Sequence, residues 1–179
     1  MARVFSAGLL PFRGKPGSYE VLLGHPGGPF WKNKDLWGFP KGQIEEGEAA
    51  FDTAIREFKE ETGFELSDSA LYYPLADVLN KSKTVHVWAF HADYDPSKLN
   101  SILFEMEWPK KSGKFQKHPE LDKLAWFGLK EAEKKILPYQ LGVLDSLRNL
   151  RFNEFRTQTS DASCKMIGDG VIASCLTNT

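Results

Sequence analysis

Alternating and continuous apolar runs dominate the first two-thirds of the chain, and helical patterns dominate the remainder of its apolar sequence. One helical pattern interrupts the strands: residues 48–62 contain no Gly or Pro and are flanked by Gly47 and Gly63, which predicts a helix. At about 100° per residue its apolar side chains share one face, which we expect to pack on the core. The predicted strands cover 3–12, 19–24, 36–42, 71–79, 83–92 and 124–127, and later helices cover 129–136 and 140–152.

Three glutamates lie on one side of this predicted helix. Glu57, Glu60 and Glu61 are spaced i, i+3 and i+4, so their side chains fall within an arc of roughly 100°. Carboxylates so close repel one another unless a cation neutralises them, and an all-oxygen cluster suits Mg²⁺ or Mn²⁺ rather than zinc. We therefore predict a metal site here, with Arg56 holding one glutamate in place. A solvated helix face supported by Lys59 and Arg56 is the alternative interpretation.

Residues around the glutamates extend this pattern to a longer motif. Residues 42–64 match the spacing G-x5-E-x7-R-E-U-x-E-E-x-G-U, where U is apolar, without a departure. A chance match in a chain of this length has odds on the order of 10⁻⁷. The residues that satisfy the spacing are Gly42, Glu48, Arg56, Glu57, Phe58, Glu60, Glu61, Gly63 and Phe64.

Composition and charge favour a soluble enzyme of one domain. A chain of 179 residues with 41% hydrophobic and 13% aromatic residues can bury a sizeable core. Because the net charge is −1, we expect no DNA binding and no membrane binding, and any phosphate binding must be local. The longest N-terminal apolar run, 7–11, is too short for a signal segment or a membrane span, so we expect a cytoplasmic protein.

The last part of the sequence differs in composition from the rest. Residues 157–179 are rich in Ser, Thr, Gly and Asn and show no periodicity. We therefore expect a folded domain in 1–156 and a weakly structured C-terminal extension in 157–179. The two cysteines, Cys164 and Cys175, both lie in this extension and indicate neither a disulfide framework nor a CxxC zinc site.

The motif of residues 42–64 is similar to the Nudix box, and residues from about 3 to 150 resemble a Nudix hydrolase. This resemblance implies an α/β/α sandwich with a mixed β-sheet and a substrate cleft above the box helix. It also implies water attack on phosphorus, assisted by a divalent metal, in a nucleoside diphosphate linked to another group. Segments 25–31, 104–109 and 125–127 resemble a bacterial group described as predicted NTP pyrophosphohydrolases.

The substrate within this class is left open by the resemblance. Segment 37–42 is similar to the corresponding part of diadenosine-polyphosphate hydrolases, but these often carry a tyrosine 16 to 18 positions beyond the box, where this chain has Asn80, Lys81 and Ser82. We expect a nucleoside polyphosphate, either an NTP or dNTP or a dinucleoside polyphosphate. The alternatives are an RNA 5′-pyrophosphohydrolase, an NDP-sugar hydrolase and a non-catalytic nucleotide-binding module; the oligomeric state is also open.

A fourth carboxylate usually completes a Nudix metal site from a distant loop. Residues 119–122 resemble the ligand-bearing segment of RNA 5′-pyrophosphohydrolases, so Glu120 is the preferred ligand and Glu105 or Glu107 is the alternative. One of three carboxylates would take the proton of the attacking water. These candidates for the base are Glu60, Glu61 and Glu120, and the expected metal ligands are Glu57, Glu60, Glu61 and Glu120.

Cations and aromatic residues outside the helix are the candidates for substrate contacts. Lys41 precedes the helix, where it can hold a phosphate oxygen. Lys110 and Lys111 belong to a basic run that can receive further phosphates, although such runs are often solvated. Aromatic residues near a Gly- and Pro-rich loop can stack a base or simply pack. These aromatic residues are Phe30, Trp31 and Trp37.

Overall fold

A mixed β-sheet with helices on both faces organises the chain in a computed structural model that describes residues 3–150, 166–167 and 171–173. The strands are β1 (Val4–Arg13), β2 (Glu20–Pro26), β3 (Lys41–Gln43), β4 (Leu71–Pro74), β5 (Val78–Asn80), β6 (Lys83–His91), β7 (Leu103–Glu107), β8 (Phe115–Pro119), β9 (Leu121–Gly128), β10 (Met166–Ile167) and β11 (Val171–Ala173). The helices are α1 (Ala50–Thr62), α2 (Leu129–Lys135) and α3 (Gly142–Arg148), with 3₁₀ turns at Pro96–Lys98 and Pro138–Gln140.

Strand β1 is central to the large sheet, whose strand order is β10-β11-β4-β6-β1-β2-β9. It pairs in parallel with β6 and antiparallel with β2, and its residues 6–12 are all buried because both faces of the sheet are covered. Strand β3 pairs with the first half of β1, and β5 pairs with β6. Strands β7 and β8 form a separate antiparallel hairpin.

Two apolar clusters cover the two faces of the large sheet. Leu9 on one face packs in a cluster with Phe58 of α1. Its neighbour Leu10 points to the other face and joins a cluster with Leu144 of α3. This arrangement of helix, mixed sheet and helix confirms the expected α/β class and sandwich architecture.

The predicted box helix is present, and its C-terminal end lies where the sequence indicates. Helix α1 begins at Ala50, two residues later than expected, and ends at Thr62. Gly63 adopts a left-handed conformation with φ of 72°, and its N–H donates to the carbonyl of Lys59 at 2.7 Å. Glycine adopts this conformation without steric cost, so Gly63 gives the helix a sharp end.

Two predicted strands are shorter than expected because proline interrupts them. The predicted strand 71–79 is divided into β4 and β5, and β4 ends at Pro74, which has no N–H to donate to the ladder. In the predicted strand 36–42, only the residues from Lys41 onward form a strand, since Pro40 breaks the ladder in the same way. Before that proline, Gly38 makes a single bridge with Gly24.

Most other predicted elements are confirmed with shifted ends, but the β7–β8 hairpin was not predicted. Strand β9 begins at Leu121, three residues earlier than expected, and α3 covers only part of 140–152. The hairpin carries charged residues where a buried strand would carry apolar ones, so its pattern is weak. Its tip turns through left-handed residues, Lys111 at φ 63° and Gly113 at φ 71°.

The C-terminal extension is described only in part. Strand β10 pairs with β11, and β11 pairs with β4, where Ile172 lies opposite Tyr72. The expected boundary between 156 and 157 lies outside the described residues, as do Cys164 and Cys175. Among the residues that the structure describes, no helix has the length and apolar character needed to cross a membrane.

Gly8 allows β3 to lie close against β1, and its replacement tests this packing. A Cβ atom at position 8 would lie 2.4 Å from the carbonyl oxygen of Pro40 and 2.6 Å from Cβ of Lys41. Because backbone would have to move, we expect Gly8→Ala to lower the free energy of unfolding by about 1 to 3 kcal/mol in a urea titration. Gly142→Ala is the matched control, since a Cβ there meets nothing within 4 Å. Its free energy of unfolding should change by no more than about 0.5 kcal/mol, and an equal loss in both variants would contradict the packing argument.

Candidate active site

Arg56 occupies the centre of the acidic cluster on α1. Its Nε and Nη2 atoms donate to the two carboxylate oxygens of Glu48, each at 2.9 Å. Its Nη1 atom donates to Glu57 at 2.8 Å and to Glu60 at 3.1 Å. The hydrogen bonds from Arg56 lower the pKa of Glu48 to about 2, and the pKa of Arg56 is raised in turn, chiefly by Glu48. One guanidinium thus fixes three carboxylates, where the sequence predicted that it holds one.

The position of Glu57 explains the first glycine of the motif. A Cβ atom at Gly42 would lie between 1.9 and 2.1 Å from the carboxyl atoms of Glu57. The carboxylate of Glu57 therefore packs directly against the backbone of β3, in space that only glycine leaves open. This contact connects the strand before the helix to the helix itself.

Glu61 is buried beneath Lys41. Its Oε2 atom accepts a hydrogen bond from the backbone N–H of Lys41 at 3.1 Å. Burial raises the pKa of Glu61 to about 8, although the charge and the N–H of Lys41 oppose this rise. The negative charges of Glu57 and Glu120 raise the pKa further. The positive charge near Glu61 is thus too small to offset the effect of burial on its carboxylate.

Backbone hydrogen bonds bring Glu120 to the same place. The N–H of Ile102 donates to the carbonyl of Glu60 at the end of α1, and the N–H of Glu120 donates to the carbonyl of Ile102, each at 3.0 Å. The carbonyl of Glu120 accepts from the N–H of Gly27 at 2.8 Å. Burial raises the pKa of Glu120, the charge of Lys41 opposes this, and Glu57 adds to it. Glu120 therefore lies within the electrostatic field of the α1 cluster.

The two alternative carboxylates lie on β7, away from this cluster. Glu107 accepts a hydrogen bond from the N–H of Gly113 at 2.6 Å and so closes the hairpin tip. Glu105 lies opposite Lys117 on β8. Neither is among the residues that line the cavity described next.

A cavity of about 320 Å³ opens beside Glu61 and Glu120. Its lining includes Trp31, Lys41, Glu61, Glu120, Tyr139 and Gln140. A larger cavity of about 660 Å³, lined by Tyr19, Leu129 and Arg148 among others, contains none of the motif residues. We assign the site to the smaller cavity because it holds the perturbed carboxyl groups and a lysine.

The carboxylates are neighbours but do not form a closed cage. In the described part of the chain, no group of three or more Asp, Glu, His or Cys side chains is arranged so that it can hold a metal ion as it stands. Arg56 holds Glu57 and Glu60, and the N–H of Lys41 holds Glu61. Carboxylate oxygens are the donors that hard divalent cations prefer, so the chemistry of the set fits Mg²⁺.

The structure brings only some of the residues predicted to contact substrate to the cavity. Lys41 and Trp31 line the cavity, whereas Phe30 lies beside it with its ring 41% exposed. Lys110 places its Nζ atom 4.9 Å from the centroid of the Phe30 ring, and Lys111 is exposed at the hairpin tip. Trp37 lies outside the cavity lining. It packs edge-on against His25 and Phe127, with ring centroids 5.3 and 5.0 Å away.

Lys83 is a cation at the site that the sequence analysis missed. It begins β6, and its half-buried side chain has a pKa lowered by burial and by Lys41, while Glu57 and Glu61 oppose the shift. The parallel pairing of β6 with β1 places Lys83 opposite Val4. No local spacing in the sequence signals this pairing.

Tyr139 and Gln140 in the cavity wall were also missed. Gln140 is buried, accepts a hydrogen bond from the N–H of Phe39 at 3.4 Å, and donates from Nε2 to the hydroxyl of Tyr139 at 3.0 Å. The sequence carries no signal for this burial, because glutamine is mostly exposed; its two hydrogen bonds are what a buried amide needs.

Comparison with known proteins identifies the family. Residues 2–147 match the model of the NUDIX domain. The mRNA decapping complex subunit 2 of Schizosaccharomyces pombe is 33% identical over 92 residues, which are 51% of this chain but only 12% of that protein.

A C. elegans Ap4A hydrolase in a binary complex has a TM-score of 0.54 and 24% identity, covering 80% of this chain and 94% of that one. The NUDIX domain of Shewanella oneidensis NrtR, complexed with ADP ribose, has a TM-score of 0.54 and 18% identity, covering 83% and 88%. At these identities the two structures show a shared fold. The chain belongs to the Nudix family.

Proposed function

We propose that this chain is a Mg²⁺-dependent pyrophosphohydrolase that cleaves a phosphoanhydride bond of a nucleoside polyphosphate. The observation that carries the proposal is the convergence of Glu61, Glu120 and Lys41 on one cavity beside a complete Nudix box. The preferred substrates are an NTP or dNTP and a dinucleoside polyphosphate. The resemblance of segment 37–42 to diadenosine-polyphosphate hydrolases supports the second of these.

The metal ligands that we propose are Glu57, Glu60, Glu61 and Glu120. Three observations fit a hard cation: the donors are all oxygen, Glu57 packs against the open space at Gly42, and the pKa of buried Glu61 is raised. When bound, Mg²⁺ or its substitute Mn²⁺ polarises the phosphoanhydride and lowers the pKa of the attacking water. The protein itself supplies the charge and the shape of this site.

Each of the other residues has a separate task in this proposal. Lys41 offers its ammonium group to a phosphate oxygen at the cavity wall, while its backbone N–H holds Glu61. Arg56 positions the carboxylates of α1 and so acts through them. The base that takes the proton of water is best sought in Glu61 and Glu120, because these line the cavity and Glu60 does not.

RNA with a 5′-triphosphate is the second candidate substrate. Its support is the match to an mRNA decapping subunit over half of this chain, together with the resemblance of residues 119–122 to RNA 5′-pyrophosphohydrolases. A panel of NTPs, dinucleoside polyphosphates, 5′-triphosphate RNA and NDP-sugars, with identification of every product, tests the proposal. Hydrolysis of an NDP-sugar with a higher kcat/KM than any polyphosphate would contradict the substrate class.

Replacing Glu61 with Gln should abolish turnover without unfolding the protein. We expect Glu61→Gln to lower kcat at least about 100-fold, which is roughly 2.7 kcal/mol of transition-state stabilisation. The pKa of Glu61 is raised from 4.5 to about 8 in the folded protein. The metal-free wild type should therefore lose stability as pH rises from about 4.5 to about 8, and the variant should lose less, since only the raised pKa of Glu120 remains. Thermal melts in EDTA at several pH values measure this difference. If the wild-type enzyme keeps its full rate of turnover in excess EDTA, the proposal is contradicted.

Glu120 should matter for metal-dependent activity, and Glu105 should not. Glu120 lies in the cavity with Glu61, whereas Glu105 lies on the hairpin opposite Lys117. We expect Glu120→Gln to raise the Mg²⁺ concentration needed for half-maximal rate, or to lower kcat, by about tenfold or more. Glu105→Gln makes the same chemical change as a control and should stay within about twofold of wild type. The reverse order of effects in Mg²⁺ titrations would assign the fourth ligand to β7.

A further inference from the structure

The β7–β8 hairpin and the loop after β2 are two segments that the proposed reaction leaves without a role. They are about 75 residues apart in sequence, yet they pack against each other. A Cβ atom at Gly28 would lie 3.3 Å from the ring of Phe104 and 3.7 Å from the sulfur of Met106. A Cβ at Gly27 would lie 1.9 Å from the carbonyl oxygen of Pro119. The two glycines let the loop follow the surface of the hairpin, so the two segments form one unit.

Aromatic rings and lysines meet where this unit reaches the solvent. The rings of Phe30 and Trp108 lie edge to face, with centroids 4.9 Å apart and planes at 78°. The Nζ atom of Lys110 lies 4.9 Å from the centroid of the same Phe30 ring. We define these three residues, Phe30, Trp108 and Lys110, as the rim.

The rim continues directly from the cavity wall. Trp31 follows Phe30 in the chain and lines the cavity, and the Nζ atom of Lys34 lies 4.6 Å from the centroid of its ring. The same loop is hydrogen-bonded to Glu120 through the N–H of Gly27. A ligand that leaves the cavity past Trp31 therefore meets the rim next.

Two acidic groups of the same two segments, Glu107 and Asp35, have other partners. Glu107 binds the N–H of Gly113, and Asp35 accepts hydrogen bonds from Lys135 and from Trp37. The Lys110 charge is thus presented beside an aromatic surface that is partly open to solvent. Aromatic surface next to a lysine suits a base and the phosphate attached to its sugar, since every base can stack and the cation attracts the phosphate.

The size of the cavity indicates which part of a substrate reaches the rim. At about 320 Å³ it is at the small end of ligand pockets and is too small for a polyphosphate with two nucleosides. A second nucleoside must lie outside it. We propose that the rim is a subsite for a second nucleoside, attached through the far end of the polyphosphate that the cavity holds. This inference rests on the proposed function and narrows it to substrates with two nucleosides.

Two pairs of substrates isolate the second nucleoside. Adenosine 5′-tetraphosphate and diadenosine tetraphosphate have the same number of phosphates and differ by one adenosine. ATP and the 5′-triphosphorylated dinucleotide pppApA differ by one nucleotide, which is attached to the 3′ oxygen of the first nucleoside, as at the end of an RNA, and not to the far end of the polyphosphate. In each pair the ratio of kcat/KM reports on the added unit, so the two pairs distinguish a nucleoside at the far end of the polyphosphate from an RNA chain.

Trp108→Leu and Phe115→Leu are matched variants of one hairpin. Phe115 is 64% exposed and lies opposite Glu107. Because side chains alternate along a strand, Phe115 and Glu107 share one face of the hairpin, and Phe104, Met106 and Trp108 lie on the other face. We expect diadenosine tetraphosphate to be preferred over adenosine 5′-tetraphosphate about tenfold, mainly through KM, and we expect no such preference for pppApA over ATP. Trp108→Leu should remove this preference, and Phe115→Leu should keep it. Thermal melts establish that both variants are folded.

Two results would overturn the inference. One is equal kcat/KM for diadenosine tetraphosphate and adenosine 5′-tetraphosphate in the wild type, whether or not pppApA is preferred over ATP. The other is a loss in Trp108→Leu of the same size for all four substrates, which would mean a structural role. Equilibrium dialysis of the four nucleotides in Ca²⁺ gives the same comparison as ratios of Kd without turnover. If no substrate is hydrolysed in Mg²⁺ but the Kd ratios behave as expected, the proposed function fails while the subsite stands.

Discussion

The accumulation of carboxylates beside α1 is the constraint on which the rest of the site depends. Glu48, Glu57 and Glu60 share a single guanidinium, and Glu61 is buried, with Lys41 favouring its charge. Like charges held this close destabilise the folded chain, by about a kcal/mol for each pK unit by which a carboxyl pKa is raised. A fold retains such an arrangement only where the surrounding structure holds it, and here the helix, β3 and the 101–102 segment do so. In the function that we propose, the same charge excess attracts a divalent cation and, through it, a polyphosphate.

Backbone rather than side chains determines where the distant parts of the site lie. Gly42 allows Glu57 to lie against β3, and Gly8 allows β3 to lie against β1. The carbonyl of Glu60 at the end of α1 leads through Ile102 to Glu120 by successive hydrogen bonds. Since the terminal carbonyls of a helix need partners in any case, satisfying one of them with the N–H of Ile102, whose carbonyl accepts from the N–H of Glu120, positions this carboxylate as well. Changes in side chains on the hairpin can therefore alter what binds without moving the carboxylates.

Local periodicity explains which features could be predicted from the sequence. The three glutamates and the apolar face of α1 follow from the helical repeat, and Gly63 marks the helix end, so element and cluster were predicted together. Glu120 was identified only by resemblance, because its approach depends on pairing across the fold. Lys83 carries no local signal, since the parallel pairing of β6 with β1 brings it to the site. For Trp37 the sequence suggests a contact that the structure does not show. Its neighbours in sequence suggest that it lines the cleft, but its ring packs between His25 and Phe127.

Burial of Glu61 links catalysis to stability. Below about pH 8 a metal-free cavity favours the protonated form of Glu61, because water no longer solvates the carboxylate and Glu57 and Glu120 repel it. In the proposed metal site, binding of a cation would reverse this preference, so metal affinity would fall as pH decreases and protons compete for the site. Lys41 would moderate this competition, since its backbone N–H and its charge both favour the ionised form. Lys41, which the sequence suggests as a substrate contact, is therefore also part of the structural support for the carboxylate that we propose as a metal ligand.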